Sequence, residues 1–154
     1  MAARTGDGES QYALAILYEY GGETVERSAD KAALWFEKAA QKKVAGACLY
    51  LGIKYENGSG VAQNYEKAHC MYLCAAQQDW AMAQFFLASL YDQGKGVSRS
   101  SLIALAWFGL AGESGYPKAE VEILRIQDDI ESNKLSALGT LQENLMRKST
   151  TSCN

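Results

Sequence analysis

Four side chains in the middle of the chain could bind a metal or react with one another. His69 is the only histidine, Cys70 follows it directly, and Cys48 and Cys74 are the nearest other thiols. A zinc site normally needs four ligands that converge on one point. On a helix, His69 and Cys70 point about 100° apart, so His69 does not converge with the thiols. A fourth ligand for the three thiols is therefore missing. We therefore predict that these thiols pack in a core, with no metal and no cofactor. The sequence leaves open whether Cys48 forms a disulfide with Cys70 or with Cys74.

Two glycine pairs, Gly58-x-Gly60 and Gly94-x-Gly96, look like fragments of phosphate-binding loops. Such a loop follows a strand and continues into Lys-Ser or Lys-Thr, and neither pair has this context. The chain also contains no HExxH or GxSxG motif and no plausible Ser-His-Asp arrangement. We therefore predict no catalytic residues and no enzymatic activity.

The glycine pairs belong to an internal repeat. Tyr18, Tyr55 and Tyr91 are each followed by a glycine three residues later, and the last two tyrosines are 36 residues apart. The same period relates Ala32, Ala68 and Ala104, and the bulky pairs Trp35-Phe36, Met71-Tyr72 and Trp107-Phe108. A period of about 20–50 residues is typical of solenoids, so the glycines are predicted to separate helices.

Each repeat predicts two helices. In the first repeat, Leu14, Leu17 and Tyr18 have the spacing of one helical face, and the glycines that follow end this helix. The second helix of each repeat is predicted to begin at a good N-cap residue, whose side-chain oxygen can accept from free backbone N–H groups. These residues are Ser28, Asn64 and Ser100.

The motif A-x-x-x-L-[AG]-x-x-Y-[ED]-x-G-x-G-V, followed by K-A-x-x-W-[FY]-x-K-A-A, resembles the Sel1-like repeat family, a relative of tetratricopeptide repeats. The resemblance extends over residues 2–126. It implies an all-α fold, namely a right-handed superhelical solenoid of helix pairs, and a function in protein–protein interaction. We place three repeats at residues 8–43, 44–79 and 80–115, and a degenerate fourth at 116–131.

Both ends of the chain depart from the repeat. Residues 1–5 are predicted to be the tail of a preceding second helix, because Ala2-Ala3 matches Ala39-Ala40. This match suggests a chain that is cut from a longer array or that begins with a decayed unit. Residues 133–148 are predicted to form a cap helix, because a solenoid needs an atypical last unit to cover its terminal apolar face. Residues 149–154 are predicted to be a disordered tail.

The second helix of the third repeat carries Leu102, Ile103 and Leu110 where the first repeat has polar residues. Monomers avoid large exposed apolar patches. We therefore expect the cap helix to cover these three residues. The alternative is that a partner, or a second copy of the chain, docks there.

By analogy with tetratricopeptide repeats, the first helix of each repeat lines the concave face of the solenoid. The residues predicted to contact a partner there share one helical face. They are Tyr12, Ile16, Glu19, Tyr20, Leu49, Ile53, Glu56, Asn57, Phe85, Ser89, Asp92, Gln93, Arg125 and Asp128.

One position on this face is acidic in every unit, and we call the four residues the acidic column. It consists of Glu19, Glu56, Asp92 and Asp128. Residues 119–145 add to this charge, since six acidic residues and two basic residues give a net −4. The groove is therefore expected to favour a basic peptide.

Composition argues against several other classes of protein. The net charge of −3 at pH 7 disfavours nucleic acid as the main partner. No apolar run reaches the length of about 18 residues that membrane insertion needs. The first residues lack the apolar core of a signal peptide. Localisation stays unknown: the chain as it stands fits the cytoplasm, whereas a preceding signal peptide would make it periplasmic or secreted.

The predicted function is that of a non-catalytic scaffold or adaptor, which binds a protein or peptide in its concave groove. The first alternative is an immunity or inhibitor protein that neutralises a toxin or an enzyme. A hydrolase or β-lactam-binding protein is less favoured, because family members of that kind carry regular cysteine pairs that this chain lacks.

Overall fold

The computed structural model describes the backbone of residues 7–151 and the side chains of residues 7–134 and Ser136. In this part of the chain the regular secondary structure is entirely helical. The helices are α1 (Gly8–Tyr20), α2 (Ala29–Gln41), α3 (Ala45–Asn57), α4 (Tyr65–Ala76), α5 (Ala81–Gln93), α6 (Ser101–Glu113) and α7 (Ala119–Thr151). Each helix packs mainly on its neighbours in the chain, so α1 to α6 form three stacked pairs. The predicted all-α solenoid is confirmed.

The three predicted N-caps begin the second helices. Ser28, Asn64 and Ser100 have extended backbone, and their side-chain oxygens accept hydrogen bonds from backbone N–H groups three residues later. These contacts satisfy donors that the first turn of a helix leaves free. The second helices therefore start at the positions that the sequence indicates.

The glycine pairs both end a helix and join two repeats. Gly58 and Gly94 end α3 and α5 in the left-handed conformation, which glycine adopts without steric penalty. The second glycine of each pair lies against the preceding second helix. A Cβ atom at Gly60 would lie 2.3 Å from the Ala29 carbonyl oxygen, and one at Gly96 would lie 2.5 Å from the Tyr65 carbonyl carbon. Glycine at these positions is therefore a requirement of repeat-to-repeat packing.

Within each repeat, a small residue of the first helix lies against an aromatic residue of the second helix. Gly52 of α3 approaches Tyr72 of α4 so closely that an added Cβ atom would lie 2.6 Å from the tyrosine ring. Alanine takes this place in the other repeats, where Ala15 shares a buried cluster with Phe36, and Ala88 with Phe108.

The same aromatic residues join one repeat to the next. Phe36 of α2 stacks on Tyr50 of α3 with ring centroids 5.1 Å apart, and Tyr72 of α4 stacks on Phe86 of α5 at 5.3 Å. The two stacks occupy equivalent positions, since both of their members are related by the 36-residue period. A buried aromatic residue on each second helix therefore contacts both neighbouring first helices.

Cys48 and Cys74 form a disulfide that joins α3 to α4 within the second repeat. This pairing differs from the favoured prediction of packed thiols, and it selects one of the two bridges that the sequence left open. Cys48 is fully buried, and its Cα atom lies 6.0 Å from that of Cys74. Cys70, on the same helix as Cys74, is exposed and has a free thiol.

A single long helix, α7, replaces the predicted fourth unit and cap helix. It runs without a break from Ala119 to Thr151, so residue 132 does not separate two helices and residues 149–151 are helical. The helix continues because Ile130 occupies the repeat position at which a glycine ends α5. Gly139 lies inside the helix and does not end it. The predictions for residues 1–5 and for 152–154 lie outside the described residues.

The apolar residues of α6 stay uncovered. Leu102, Ile103 and Leu110 are 77%, 42% and 44% exposed. α7 packs on α6 through its residues Ile123, Ile126 and Ile130. These isoleucines contact a different face of α6. The expectation that the C-terminal helix covers these three residues is therefore not met.

Gly52→Ala is expected to lower the free energy of unfolding by about 1–3 kcal/mol, because the Tyr72 ring is held by Glu56 and Phe86 and has no room to move. Gly109→Ala is the matched control. An added Cβ atom there meets nothing within 4 Å, so helix propensity should raise stability by about 0.5–1 kcal/mol. Urea unfolding of both variants measures the difference, and equal midpoints would contradict the proposed contact.

The disulfide is expected to contribute about 3 kcal/mol, because it closes a 26-residue segment in the unfolded chain. Reductant should lower the urea midpoint of a Cys70→Ser/Cys153→Ser variant, in which only the bridging cysteines remain. A Cys48→Ser/Cys74→Ser variant should show no response to reductant. A midpoint that is insensitive to reductant in the first variant would show that the bridge is absent in solution.

Candidate functional site

The residues predicted to contact a partner differ in how much surface they present. The exposed members are Tyr20, Asn57, Gln93, Arg125 and Asp128. Tyr20 is the one with an apolar ring, and it is 66% exposed. The half-buried members are Tyr12, Ile16, Glu19, Ile53, Glu56, Phe85, Ser89 and Asp92.

Leu49 does not belong to this surface. It is 4% exposed and lies in the same buried cluster as Tyr72 of its own repeat. The equivalent residues Tyr12 and Phe85 carry larger rings that reach from the core to the surface, whereas the leucine side chain ends within the core. Leu49 is therefore a core residue that a partner does not reach.

Five side chains of α1 and α3 form an apolar area that we call the tyrosine patch. It consists of Tyr12, Ile16 and Tyr20 on α1 with Tyr50 and Ile53 on α3. The Tyr20 and Tyr50 hydroxyl oxygens lie 3.3 Å apart, and the Tyr12 and Tyr50 ring centroids lie 6.3 Å apart. The hydrogen bond with Tyr20, together with burial, raises the pKa of Tyr50 to about 12. The Tyr50 phenol is therefore neutral at physiological pH.

Tyr50 is a residue that the sequence analysis missed. It follows Leu49, which is the residue that matches Tyr12 in the repeat. The available signal was the aromatic pair Tyr50 and Phe86, which are 36 residues apart. Phe86 is half-buried and stacks on Tyr72, so the third repeat has an aromatic residue at the place of Tyr50.

The first carboxylate of the acidic column is paired with a buried lysine. Lys54 Nζ lies 2.5 Å from Glu19 Oε2, and the two side chains are 3% and 20% exposed. Leu17 and Leu90 occupy the position of Lys54 in the other repeats. The ion pair therefore crosses from the first repeat to the second, and it neutralises Glu19.

The next two carboxylates of the column also have partners. The Tyr72 hydroxyl donates to Glu56 Oε2 at 2.6 Å, and burial raises the pKa of Tyr72 above its ordinary value. Asp92 of α5 forms an ion pair with Arg125 of α7, which also contacts Glu122 and Asp129. The hydrogen bond to Glu122 is the main cause that raises the pKa of Arg125.

These pairings change the charge of the predicted groove. Lys54 and Arg125 neutralise two members of the column, and Glu56 accepts from a buried hydroxyl. Asp128 is exposed and forms no ion pair with the described side chains. The face is therefore not uniformly acidic. It is aromatic in the first two repeats and carries paired charges at its C-terminal end.

The His69 side chain contacts a tyrosine of the next repeat. Its Nε2 atom lies 3.0 Å from the Tyr91 hydroxyl oxygen, and burial lowers the pKa of the imidazole. Among the described side chains, no three His, Cys, Asp or Glu residues come together as metal ligands would. The described helices also include none that is long and apolar enough to cross a membrane.

The family model for the Sel1 repeat matches residues 8–44, 45–80 and 81–116. The chain belongs to the Sel1 repeat family. The matched boundaries lie within one residue of the predicted repeats, and α7 begins just beyond the last match. Sel1 repeat proteins are generally protein-interaction modules, and the family is typically non-catalytic.

Solved structures of Sel1 repeat proteins have the same fold. A Sel1 repeat protein from Oxalobacter formigenes is 33% identical with a TM-score of 0.73, over 77% of this chain and 47% of that one. The protective antigen c5321 of uropathogenic Escherichia coli is 34% identical with a TM-score of 0.70, over 74% of this chain and 24% of that one. This Sel1 repeat chain thus spans less than half of either protein.

Helicobacter pylori cysteine-rich protein B has the same fold at 23% identity, with a TM-score of 0.61 over 72% of this chain and 87% of that one. A comparison with curated proteins finds no match. The recognised family and the solenoid architecture are therefore confirmed.

Removing either member of the Glu19–Lys54 pair should have unequal effects on stability. Glu19→Gln leaves a buried ammonium without a counter-charge, which should lower the free energy of unfolding by about 3 kcal/mol. Lys54→Leu restores the residue of the other repeats and leaves a carboxylate that reaches solvent, so its cost should be below about 1 kcal/mol. Chemical unfolding measures both, and an equal or larger loss for Lys54→Leu would contradict a buried ion pair.

Proposed function

We propose that this Sel1 repeat protein is a non-catalytic scaffold or adaptor that binds a partner protein or peptide on the face formed by α1, α3, α5 and α7. This face is the concave one in tetratricopeptide-type solenoids. The observation that carries the proposal is the tyrosine patch, where Tyr12 and Tyr20 of the first repeat contact Tyr50 of the second and Tyr20 is 66% exposed. Tyrosine and arginine are enriched among residues that dominate binding energy.

The composition of the face suggests what a partner segment would present. The tyrosine patch offers apolar contact and phenol hydroxyls, while Arg125 and its carboxylates offer hydrogen bonds at the other end. A segment with apolar anchors followed by polar residues would match this order. Because Lys54 and Arg125 neutralise two column carboxylates, the charge of this face favours a basic partner less strongly than the acidic column alone would.

The paired charges also bear on the alternative functions. An inhibitor that plugs a basic active site would need free carboxylates on its binding face, and the column offers few. A scaffold is therefore favoured over an immunity protein. A hydrolase or β-lactam-binding protein is less favoured than either, because the chain lacks regular cysteine pairs. Pairing of two copies through Leu102, Ile103 and Leu110 is compatible with a scaffold, since these residues belong to α6 and leave the tyrosine patch accessible.

A Tyr20→Ala/Asn57→Arg variant is expected to weaken partner binding about tenfold or more, because it removes an exposed aromatic contact and adds bulk and charge beside it. Both positions are exposed, so the variant should fold. Affinity purification from the producing cells identifies the partner, and titration calorimetry with the purified partner gives the change in affinity.

Leu34→Ala on α2 is the matched control, since Leu34 is an exposed apolar residue of a second helix and should have no effect. A partner that binds the wild type and both variants equally would rule out this face. One tight partner whose affinity falls steeply with salt would favour an inhibitor instead.

A further inference from the structure

The fourth unit cannot accept a second helix in the way that the other three do. Leu124 of α7 takes the place of the small residues Ala15, Gly52 and Ala88. Those residues lie against an aromatic side chain of their own second helix, and even a Cβ atom at Gly52 would lie 2.6 Å from Tyr72. A leucine side chain fills the space that such a helix needs.

The surface that a second helix would cover is therefore open. Val121 and Leu124 are 67% and 55% exposed. Their equivalents in the third repeat, Phe85 and Ala88, contact Phe108 or lie in its buried cluster. α6 and α7 enclose a groove of 430 Å³, and its lining residue Glu120 lies one turn before Leu124 on the same side of α7. Its lining consists of Gly109, Gly112, Glu113, Gly115, Tyr116, Pro117, Glu120 and Ile123.

Gly109 in this groove has no role in the packing of the described chain. It lies inside α6, where glycine destabilises a helix relative to alanine, and an added Cβ atom would meet nothing within 4 Å. Leu73 and Glu37 occupy this position in the other repeats. Glycine on a helix surface allows the backbone of another helix to approach closely. The absent side chain therefore fits a binding role.

Charge indicates the chemistry of what binds. Glu113 and Glu120 line the groove, and no lysine or arginine does so among the described residues. Glu113 lies in the last turn of α6, where the helix dipole disfavours a negative charge, so it is not placed there for helix stability. Asp128 is exposed one turn beyond Leu124 on the same face of α7.

We propose that this open end, the α6–α7 groove together with Val121 and Leu124, binds an amphipathic helix of a partner protein that carries lysine and arginine beside its apolar face. The apolar face would cover Leu124 and Val121, and the basic side chains would meet the carboxylates of Glu113, Glu120 and Asp128. A second copy of the same surface fits less well, because it would bring like charges together. This surface shares Asp128 with the acidic column but is separate from the tyrosine patch on α1 and α3.

The probe for this proposal is a fluorescein-labelled peptide of leucine and lysine, about 18 residues or five helical turns long. Its counterpart has glutamate in place of every lysine. Fluorescence anisotropy should show that the wild-type protein binds the lysine peptide at least about tenfold more tightly than the glutamate peptide.

Leu124→Glu and Gly109→Trp should each weaken binding of the lysine peptide about tenfold or more, because one adds a charge to the apolar contact and the other fills the groove. Tyr20→Ala should bind as the wild type does, which separates this surface from the tyrosine patch. Circular dichroism checks that the variants fold, and Leu124→Glu decides if the tryptophan variant does not.

Several outcomes would overturn the proposal. Equal binding of the two peptides would remove the role of charge, and unchanged binding by Leu124→Glu would place the peptide elsewhere. Sedimentation equilibrium of the protein alone gives a further check. A wild-type dimer that Leu124→Glu dissociates would show that a second copy occupies the groove instead of a basic partner.

Discussion

The contact between a small residue of each first helix and an aromatic residue of each second helix sets how closely the helices of this protein pack. Gly52 against Tyr72 is the tightest example, and alanine takes the same place opposite phenylalanine in the neighbouring repeats. The aromatic ring then stacks on the next first helix, so one side chain fixes both the helix pair and its successor. Close packing of this kind leaves little tolerance for added volume.

The polar interactions of the first-helix face depend on this spacing. Consecutive first helices lie near enough for Glu19 to reach Lys54, which is buried between repeats. Asp92 reaches Arg125 in the same way at the end of the array. Because these charges neutralise one another, the accessible character of the face comes from its tyrosines. Aromatic side chains that present both an apolar ring and a hydroxyl suit a surface whose role is to bind protein.

The same packing rule explains why the C-terminal end differs from the interior of the array. Where the rule requires glycine or alanine, α7 has Leu124, and where a glycine would end the helix it has Ile130. The helix therefore continues to Thr151, and part of its apolar face stays uncovered. An interior repeat satisfies its own apolar surface, whereas this unit leaves a groove beside two carboxylates. The first and last helices of the described array thus present surfaces of different chemistry, one phenolic and one acidic.

The sequence by itself determined the repeat period, the three N-caps, the glycine ends of α3 and α5, and the family, because each depends on local backbone preferences that recur at a fixed spacing. Tertiary structure alone decided which side chains meet across repeats. The Cys48–Cys74 bridge, the burial of Leu49 and the pairing of Glu19 with Lys54 depend on how neighbouring helices are rotated about their axes. A helical period places a residue on a face, but only packing decides whether that face meets solvent, a counter-charge or a core.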